Sequence, residues 1–138
     1  MRVLVTDNLD PIGAEVLRKE ESIEVDVIND ISADALLETI GAYDGLIVRS
    51  RSKVTAAVIE AGTNLKVIGR AGTGVDNIDV AAATRRGIVV MNAAAGNTVT
   101  TAEHAIALMM AMARNIPIAS STTKSGLWEK KKFTGVEV

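Results

Sequence analysis

The chain has 138 residues, of which 48% are hydrophobic and 23% charged, a balance typical of a globular protein that can bury one sizeable core. The net charge of -2 gives no basis for binding nucleic acid or an anionic membrane, and the longest apolar run, residues 105–113, is far shorter than the roughly 20 residues that span a bilayer. Without cysteine the chain can form neither disulfides nor thiolate metal sites, so we expect a cytoplasmic protein.

Five short apolar segments predict β-strands. In chain order they read RVLVTD, IEVDVI, GLIVRS, LKVIGRA and IVVMN. Each of the first four is followed by a segment with helical periodicity. This is the pattern of parallel strands that are covered on both faces of a sheet.

Four amphipathic segments separate the strands. Their starts and stops are marked by the capping residues Asp10, Ser32 and Thr55 and by the glycines Gly62 and Gly87. Core positions are predicted at Ile12, Val16 and Leu17 in the first helix, at Leu36, Leu37 and Ile40 in the second, and at Val58 and Ile59 in the third. Residues 1–97 are therefore predicted to form an α/β domain, a doubly wound parallel five-stranded sheet of flavodoxin-like or Rossmann-like type.

The segment after residue 97 differs, because its helix is apolar on almost every side. Thr100 and Glu103 have the spacing of a capping box, and the helix should run to about Arg114. Such a helix is either part of the core or buried against another domain or subunit, and we expect the second because it follows the completed sheet. Residues 98–138 are predicted to be a long apolar crossover helix with an extension, and to support a homo-oligomer.

Ligands of doubly wound folds bind beyond the carboxyl ends of the strands. Arg49 follows the third strand and Arg70 belongs to the fourth, and neighbouring strands lie about 4.8 Å apart. We therefore predict that the two guanidinium groups converge on one anion, beside Gly72 and Gly74, whose backbone a ligand can approach closely. Alternatively, the arginines pair at the surface with acids, for which Asp44, Asp76 and Asp79 are available.

The glycine loop is an incomplete dinucleotide fingerprint. Asn77 stands where G-x-G-x-x-G requires its third glycine, and Asn92 stands where an acid would hold the ribose. Neither a phospho-receiver nor a flavodoxin pattern fits, and no nucleophile–base pair or metal-ligand cluster is evident. The only histidine, His104, falls in the apolar helix, where we favour a packing or interface role over a general base. The sequence thus predicts an anion pocket with no catalytic residue in this chain.

Three segments in order closely resemble the amino-terminal part of the D-2-hydroxyacid dehydrogenases. They read GLIVRSRSKVTAAVIEAG, LKVIGRAGTGVDNIDVAAATRRGIVVMN and TAEHAIALMMAMARNIP. Arg49, the GRAGTGVDN loop and the W-x-x-K-K-F-x-G ending most resemble the members that oxidise 3-phosphoglycerate with NAD, the first step of serine biosynthesis. The resemblance covers essentially the whole chain, but only the substrate-binding domain and crossover helix of such an enzyme.

The resemblance implies how the substrate would be held. Arg49 and Arg70 would bind its phosphate, and the backbone of Gly72 and Gly74 would receive its carboxylate. The small anionic substrate would thus be clamped at both ends. Asn97 would lie near it, in a loop where Ala94 replaces the proline that is usual in the family.

The resemblance also implies which parts of the enzyme lie elsewhere. Thr73 would touch the nicotinamide end of NAD, which would be bound mainly by a dinucleotide-binding domain beyond residue 138. That domain would carry the G-x-G-x-x-G motif and the catalytic Arg, Glu and His, so the present chain should be inactive alone. The run Lys130–Lys132 either lends positive charge to a site near a subunit boundary or is a solvated surface.

Two other functions fit the same residues. One is a stand-alone module that binds small anions or a partner, and the other is a dehydrogenase for a different D-2-hydroxy acid. Arg49 disfavours an apolar substrate, because an arginine buried without a counter-ion is costly.

Overall fold

The computed structural model describes all 138 residues, which divide into two compact units, Met1–Gly96 and Asn97–Val138. The first unit contains the elements β1 (Arg2–Thr6), α1 (Pro11–Arg18), β2 (Glu24–Ile28), α2 (Ala33–Thr39), β3 (Gly45–Val48), α3 (Ala56–Ala61), β4 (Val67–Arg70), α4 (Val80–Arg85) and β5 (Val89–Asn92). The second contains α5 (Thr98–Ala113), α6 (Ile116–Lys124) and a 3-10 turn, Lys130–Phe133.

The five strands form one parallel sheet in the order β2-β1-β3-β4-β5. This confirms the predicted doubly wound α/β fold, and the order is that of flavodoxin-like proteins. The chain reverses direction across the sheet between β1 and β3, which is where such folds place their ligand crevice.

The hydrophobic core lies on the face of the sheet that contacts α2, α3 and α4. Leu4, Leu46 and Ile68 are in register on three neighbouring strands, and each is at most 1% exposed. Val58 and Ile59 of α3 pack in the same cluster, as predicted from the sequence. Burial of large aliphatic side chains at about 25 cal/mol per Å² makes this face the main source of stability.

The opposite face of the sheet is less well covered. Ile12 is 65% and Val16 57% exposed, so the prediction that α1 buries both was wrong; Ala14 is the residue of α1 that is buried. Met91 of β5 is 55% exposed, and a cavity of about 430 Å³ lies between α1 and strands β3 to β5. The sheet is therefore not covered equally on both faces, because α1 is the one helix of this unit on this face, whereas α2, α3 and α4 pack on the other.

The predicted helix caps are mostly confirmed. The side chains of Asp10, Ser32 and Thr55 each accept a hydrogen bond from a first-turn N–H, and Gly87 ends α4 with φ +67°. Leu37 is 40% exposed, so its predicted burial was wrong, whereas Leu36 and Ile40 are buried. Strand and helix boundaries set by local chemistry were thus easier to predict than the faces that the helices bury.

The second unit consists of two helices joined at Asn115, whose φ of 54° breaks the helical path. α5 begins at Thr98 with Asn97 as its N-cap, so the predicted capping box of Thr100 and Glu103 was wrong. α6 was not predicted. No residue of α5 is buried. None of the helices combines the length and the hydrophobicity of a membrane-spanning segment.

Candidate functional site

Three polar segments meet at the carboxyl edge of the sheet. Asp7 follows β1, the loop from Arg49 to Ser52 follows β3, and Arg70 ends β4 and leads into the glycine loop. Parallel strands bring their carboxyl ends to the same edge, so the topology by itself places these segments side by side at the crevice.

Arg70 is the more buried of the two predicted anion-binding arginines, with a side chain that is 12% exposed. Its Nε donates to Asn77 Oδ1 at 3.1 Å. Its Nη2 lies 3.7 Å from Asp76 Oδ1, but the Asp76 side chain is 78% exposed, so water screens this pair strongly. Arg70 therefore does contact one of the acids proposed as surface partners, but the contact with Asp76 is long and exposed to solvent.

The glycines leave room for the Arg70 guanidinium. A Cβ at Gly72 would lie 2.7 Å from Arg70 Nη1, and a Cβ at Gly74 would lie 3.0 Å from Asp76 Oδ1. The Gly72 N–H donates to the Arg70 carbonyl at 2.9 Å, so a ligand carboxylate would have to displace this internal bond. The Gly74 N–H makes no hydrogen bond within the chain, which makes it the better candidate donor to a ligand.

Arg49 is exposed, and its guanidinium contacts the Asn8 carbonyl at 3.5 Å. None of the acids proposed as its surface partners contacts it, since Asp44 binds Lys66 at 2.7 Å and Asp79 caps α4. The neighbouring Arg51 is instead paired with Asp30 and donates to the Asn29 carbonyl. Of the arginines in this loop, Arg49 is therefore the one whose charge can serve a ligand.

Asp7 is a buried carboxylate at the base of the site, 6% exposed and with a left-handed φ of 67°. It accepts hydrogen bonds from the N–H groups of Arg49 and Ser52 at 2.9 Å each and from the Ser52 hydroxyl. Burial by itself raises the pKa of Asp7, but these hydrogen bonds, aided by the charge of Arg51, together leave it below its ordinary value. The carboxylate is thus held in its charged form at neutral pH.

Sequence reasoning missed the roles of Asp7 and Asn77. In the sequence, Asp7 is only the last residue of the RVLVTD segment, and Asn77 is only a misfit in a glycine motif. Their positions in the chain were the one indication of a role in the site. Asp7 directly follows β1 and Asn77 lies in the loop after β4, so both are at the carboxyl edge of the sheet. Their burial, at 6% and 5% exposure, depends on loops that are distant in sequence.

Thr73 and Asn97, the other two predicted site residues, belong to different units of the chain. The Thr73 carbonyl accepts from the Asn92 side chain, and Ala93 N–H donates to the Gly72 carbonyl at 3.0 Å, so the end of β5 supports the glycine loop. Asn97 is the N-cap of α5 in the second unit, where its predicted role near substrate stays a prediction.

The charged and titratable residues singled out in the second unit lie on its surface. His104 is exposed on α5, and Lys130–Lys132 are exposed in the 3-10 turn. Lys132 pairs with Glu129 at 2.5 Å. No group of three or more His, Asp or Glu side chains is arranged to hold a metal ion.

The glycine loop does not have the geometry of a complete dinucleotide site. α4 begins only at Val80, beyond a bridge between Val54 and Ile78, and the Asp79 side chain accepts the Ala82 N–H of its first turn. A pyrophosphate would need free N–H groups at a helix that directly follows the glycines. The residues of this chain therefore do not fit the pyrophosphate of NAD.

Comparison with known proteins shows the same architecture and names a family. A curated relative, D-3-phosphoglycerate dehydrogenase from Archaeoglobus fulgidus, is 52% identical over 138 residues, which are 100% of this chain and 26% of that protein. The crystal structure of the PH0520 protein from Pyrococcus horikoshii matches 99% of this chain and 42% of its own, with 32% identity and a TM-score of 0.88. NAD⁺-bound 3-phosphoglycerate dehydrogenase from Entamoeba histolytica matches 83% of this chain and 39% of its own, with 33% identity and a TM-score of 0.68.

The chain spans about a quarter of the length of the curated relatives that it matches. The sequence model of D-isomer specific 2-hydroxyacid dehydrogenase, catalytic domain, matches residues 3–130, which is nearly the whole chain. The chain therefore belongs to the D-isomer specific 2-hydroxyacid dehydrogenase family.

Proposed function

We propose that this chain is the substrate-binding part of an NAD-dependent D-3-phosphoglycerate dehydrogenase. The observation that carries the proposal is the pair of arginines at neighbouring strand ends beside a glycine loop. Arg70 is nearly buried and oriented by Asn77, while Arg49 is exposed and has no acidic partner. The relatives named above supply the independent support.

The site favours a ligand with two negatively charged ends. In the proposed complex, Arg49 and Arg70 bind the phosphate through charge-assisted hydrogen bonds, which are the strong kind. The Gly74 N–H, with Gly72 beside it, receives the carboxylate. An apolar hydroxy acid would leave the largely buried Arg70 guanidinium, which is 12% exposed, without a ligand anion, and this costs free energy.

The contribution of this chain to catalysis is positioning. Bound NAD would accept hydride from C2 of the hydroxy acid, and Thr73 is proposed to contact its nicotinamide end. Asn97 is proposed to lie near the same substrate. Because the residues here do not fit the pyrophosphate of NAD, that part of the cofactor is assigned to the rest of the enzyme. Holding the substrate in a fixed orientation is worth several kcal/mol of the activation barrier in general.

The second unit is proposed to support assembly of the enzyme. α5 exposes several large apolar side chains, of which Ile106 is 57% and Met112 79% exposed. We propose that these side chains are covered in a homo-oligomer. We also propose that the protein works in the cytoplasm, a reducing compartment in which proteins rarely depend on disulfides, because the chain has no cysteine.

Calorimetric titration of the 138-residue chain tests the proposal. The chain should bind 3-phosphoglycerate more tightly than D-glycerate, and Arg70→Ala should abolish that preference. Arg51→Ala is the matched control. Arg51 is an arginine of the same region, but its guanidinium is already paired with Asp30 at 2.5 Å. Equal affinities of the parent chain for the two ligands would refute the phosphate site and favour a dehydrogenase for another hydroxy acid. No binding of either would favour an interaction module.

A further inference from the structure

The loop that leaves β3 is held from both sides of its main chain. The N–H groups of Arg49 and Ser52 both donate to Asp7 Oδ2, at 2.9 Å each. The carbonyls of the same two residues both accept from Asn77 Nδ2, at 2.8 and 2.7 Å. Two buried side chains therefore fix both ends of the loop 49–52, since buried main-chain groups require such partners.

Asn77 also binds the other arginine of the site. Its Oδ1 accepts from Arg70 Nε at 3.1 Å, and the residue is 5% exposed. One buried amide thus joins the main chain that carries Arg49 to the guanidinium of Arg70. Because Nε is occupied, the edge formed by Nη1 and Nη2 is the one left for two-pronged binding of an anion.

The Asn77 amide has only one favourable orientation. Its nitrogen faces two carbonyl oxygens and its oxygen faces a guanidinium N–H. A flipped amide would place its oxygen against the two carbonyl oxygens and its NH₂ group against the guanidinium N–H, which is unfavourable at every contact. An aspartate here could still accept from Arg70 but could not donate to the loop carbonyls. The geometry therefore explains why an amide, and not a glycine or an acid, occupies this position.

We propose that Asn77 is a positioning residue of the anion site, which sets the Arg49 loop relative to the Arg70 guanidinium while Asp7 holds the other side of that loop. Asn77 acts through the two arginines and is not itself a ligand contact. The inference deepens the proposed function and rests on it for the ligand, because it names the residue that gives the site its preference for a phosphorylated acid.

The test uses the 138-residue chain with Asn77→Ala. The matched control is Asn64→Ala, because Asn64 also donates to a carbonyl, that of Gly41 at 2.8 Å, but is exposed and lies away from the site. Hydrogen exchange by NMR reports the coupling without any ligand. We expect the Arg70 Nε–H and the Ser52 N–H to exchange faster in Asn77→Ala and to be unchanged in the control.

Calorimetry on the same variants reports the effect on recognition. In Asn77→Ala, the affinity for 3-phosphoglycerate should fall by about 10- to 100-fold, the loss typical of a misplaced binding group. The affinity for D-glycerate should fall much less, so the ratio of the two affinities collapses. A purely structural role would lower both affinities by the same factor and would leave their ratio unchanged.

Asn77→Asp separates the two contacts of the amide, because it keeps the acceptor for Arg70 and removes the donor to the loop carbonyls. The new carboxylate still accepts from Arg70, so the Arg70 Nε–H should stay protected, while the loop carbonyls lose their donor and the Ser52 N–H should exchange faster. The positioning role would be overturned if the Arg70 Nε–H and the Ser52 N–H both exchanged at unchanged rates in Asn77→Ala. It would also be overturned if the ratio of the affinities for 3-phosphoglycerate and D-glycerate did not change. A parent chain that does not bind 3-phosphoglycerate would refute the proposed function, and the exchange data would still decide whether Asn77 couples the two segments.

Discussion

Replacing Gly72 with alanine should displace the Arg70 guanidinium without unfolding the protein. The Cβ would lie 2.7 Å from Arg70 Nη1, whereas carbon and nitrogen atoms in ordinary contact are separated by about 3.5 Å. The guanidinium must therefore retreat by about 0.8 Å. Arg70 Cζ would lie 3.2 Å from the same Cβ, so the planar guanidinium moves as a unit, and this movement weakens the 3.1 Å hydrogen bond from Arg70 Nε to Asn77.

The expected cost in stability is small, because the atom that must move ends a flexible side chain. Loss of the Arg70–Asn77 hydrogen bond removes about 1 kcal/mol, and the lower backbone entropy of alanine in the unfolded chain returns about 0.4–1 kcal/mol. The free energy of unfolding in urea should thus change by less than about 1 kcal/mol. The affinity for 3-phosphoglycerate should fall by about 10- to 100-fold, since an arginine–anion contact is worth about 1.5–3 kcal/mol.

Gly69→Ala is the control for this experiment. The substitution is chemically identical and lies on β4, the strand that leads into the glycine loop, but the added Cβ would meet Ile47 at 3.6 Å, an ordinary van der Waals contact. This variant should bind 3-phosphoglycerate as the parent does. Unaltered binding by Gly72→Ala, with the fold intact, would show that the position of the Arg70 guanidinium does not determine affinity.

Three further results are expected. Asp76→Asn should raise the affinity for 3-phosphoglycerate by about two- to five-fold in calorimetry, because it removes a weak, exposed competitor for Arg70, and a decrease would contradict this role. Arg86→Met should lower the free energy of unfolding by about 1–3 kcal/mol in urea, because Arg86 donates to carbonyls at the end of α3, including that of Ile59 at 3.0 Å. Asp7→Asn should flatten the loss of stability below about pH 4. The folded-state pKa of Asp7 is lowered, so its contribution is full above the ordinary value of about 3.9 and is lost as the pH falls through the folded value. An equally steep acid dependence in the variant would show that Asp7 does not contribute.

The sequence by itself determined the fold class and the positions of the predicted binding residues. Alternation of apolar runs with capped helices predicts parallel strands, and caps such as Ser32 and Gly87 act through their own neighbours, so they could be predicted locally. Parallel topology then places Arg49 and Arg70 at one edge of the sheet, because their strands are neighbours. The family resemblance depended on the same local motifs and was confirmed by the match over residues 3–130.

Only the tertiary structure decided which helix faces are buried and how the site is held together. Ile12 and Val16 have helical spacing for burial but remain exposed, because burial depends on what packs against α1 and not on its periodicity. Asp7 and Asn77 read as ordinary polar residues in the sequence, and their roles arise from hydrogen bonds to Arg49 and Ser52, which are distant along the chain. Local chemistry fixes where elements begin and end, whereas the partners of a buried polar group exist only after the strands that carry them have assembled.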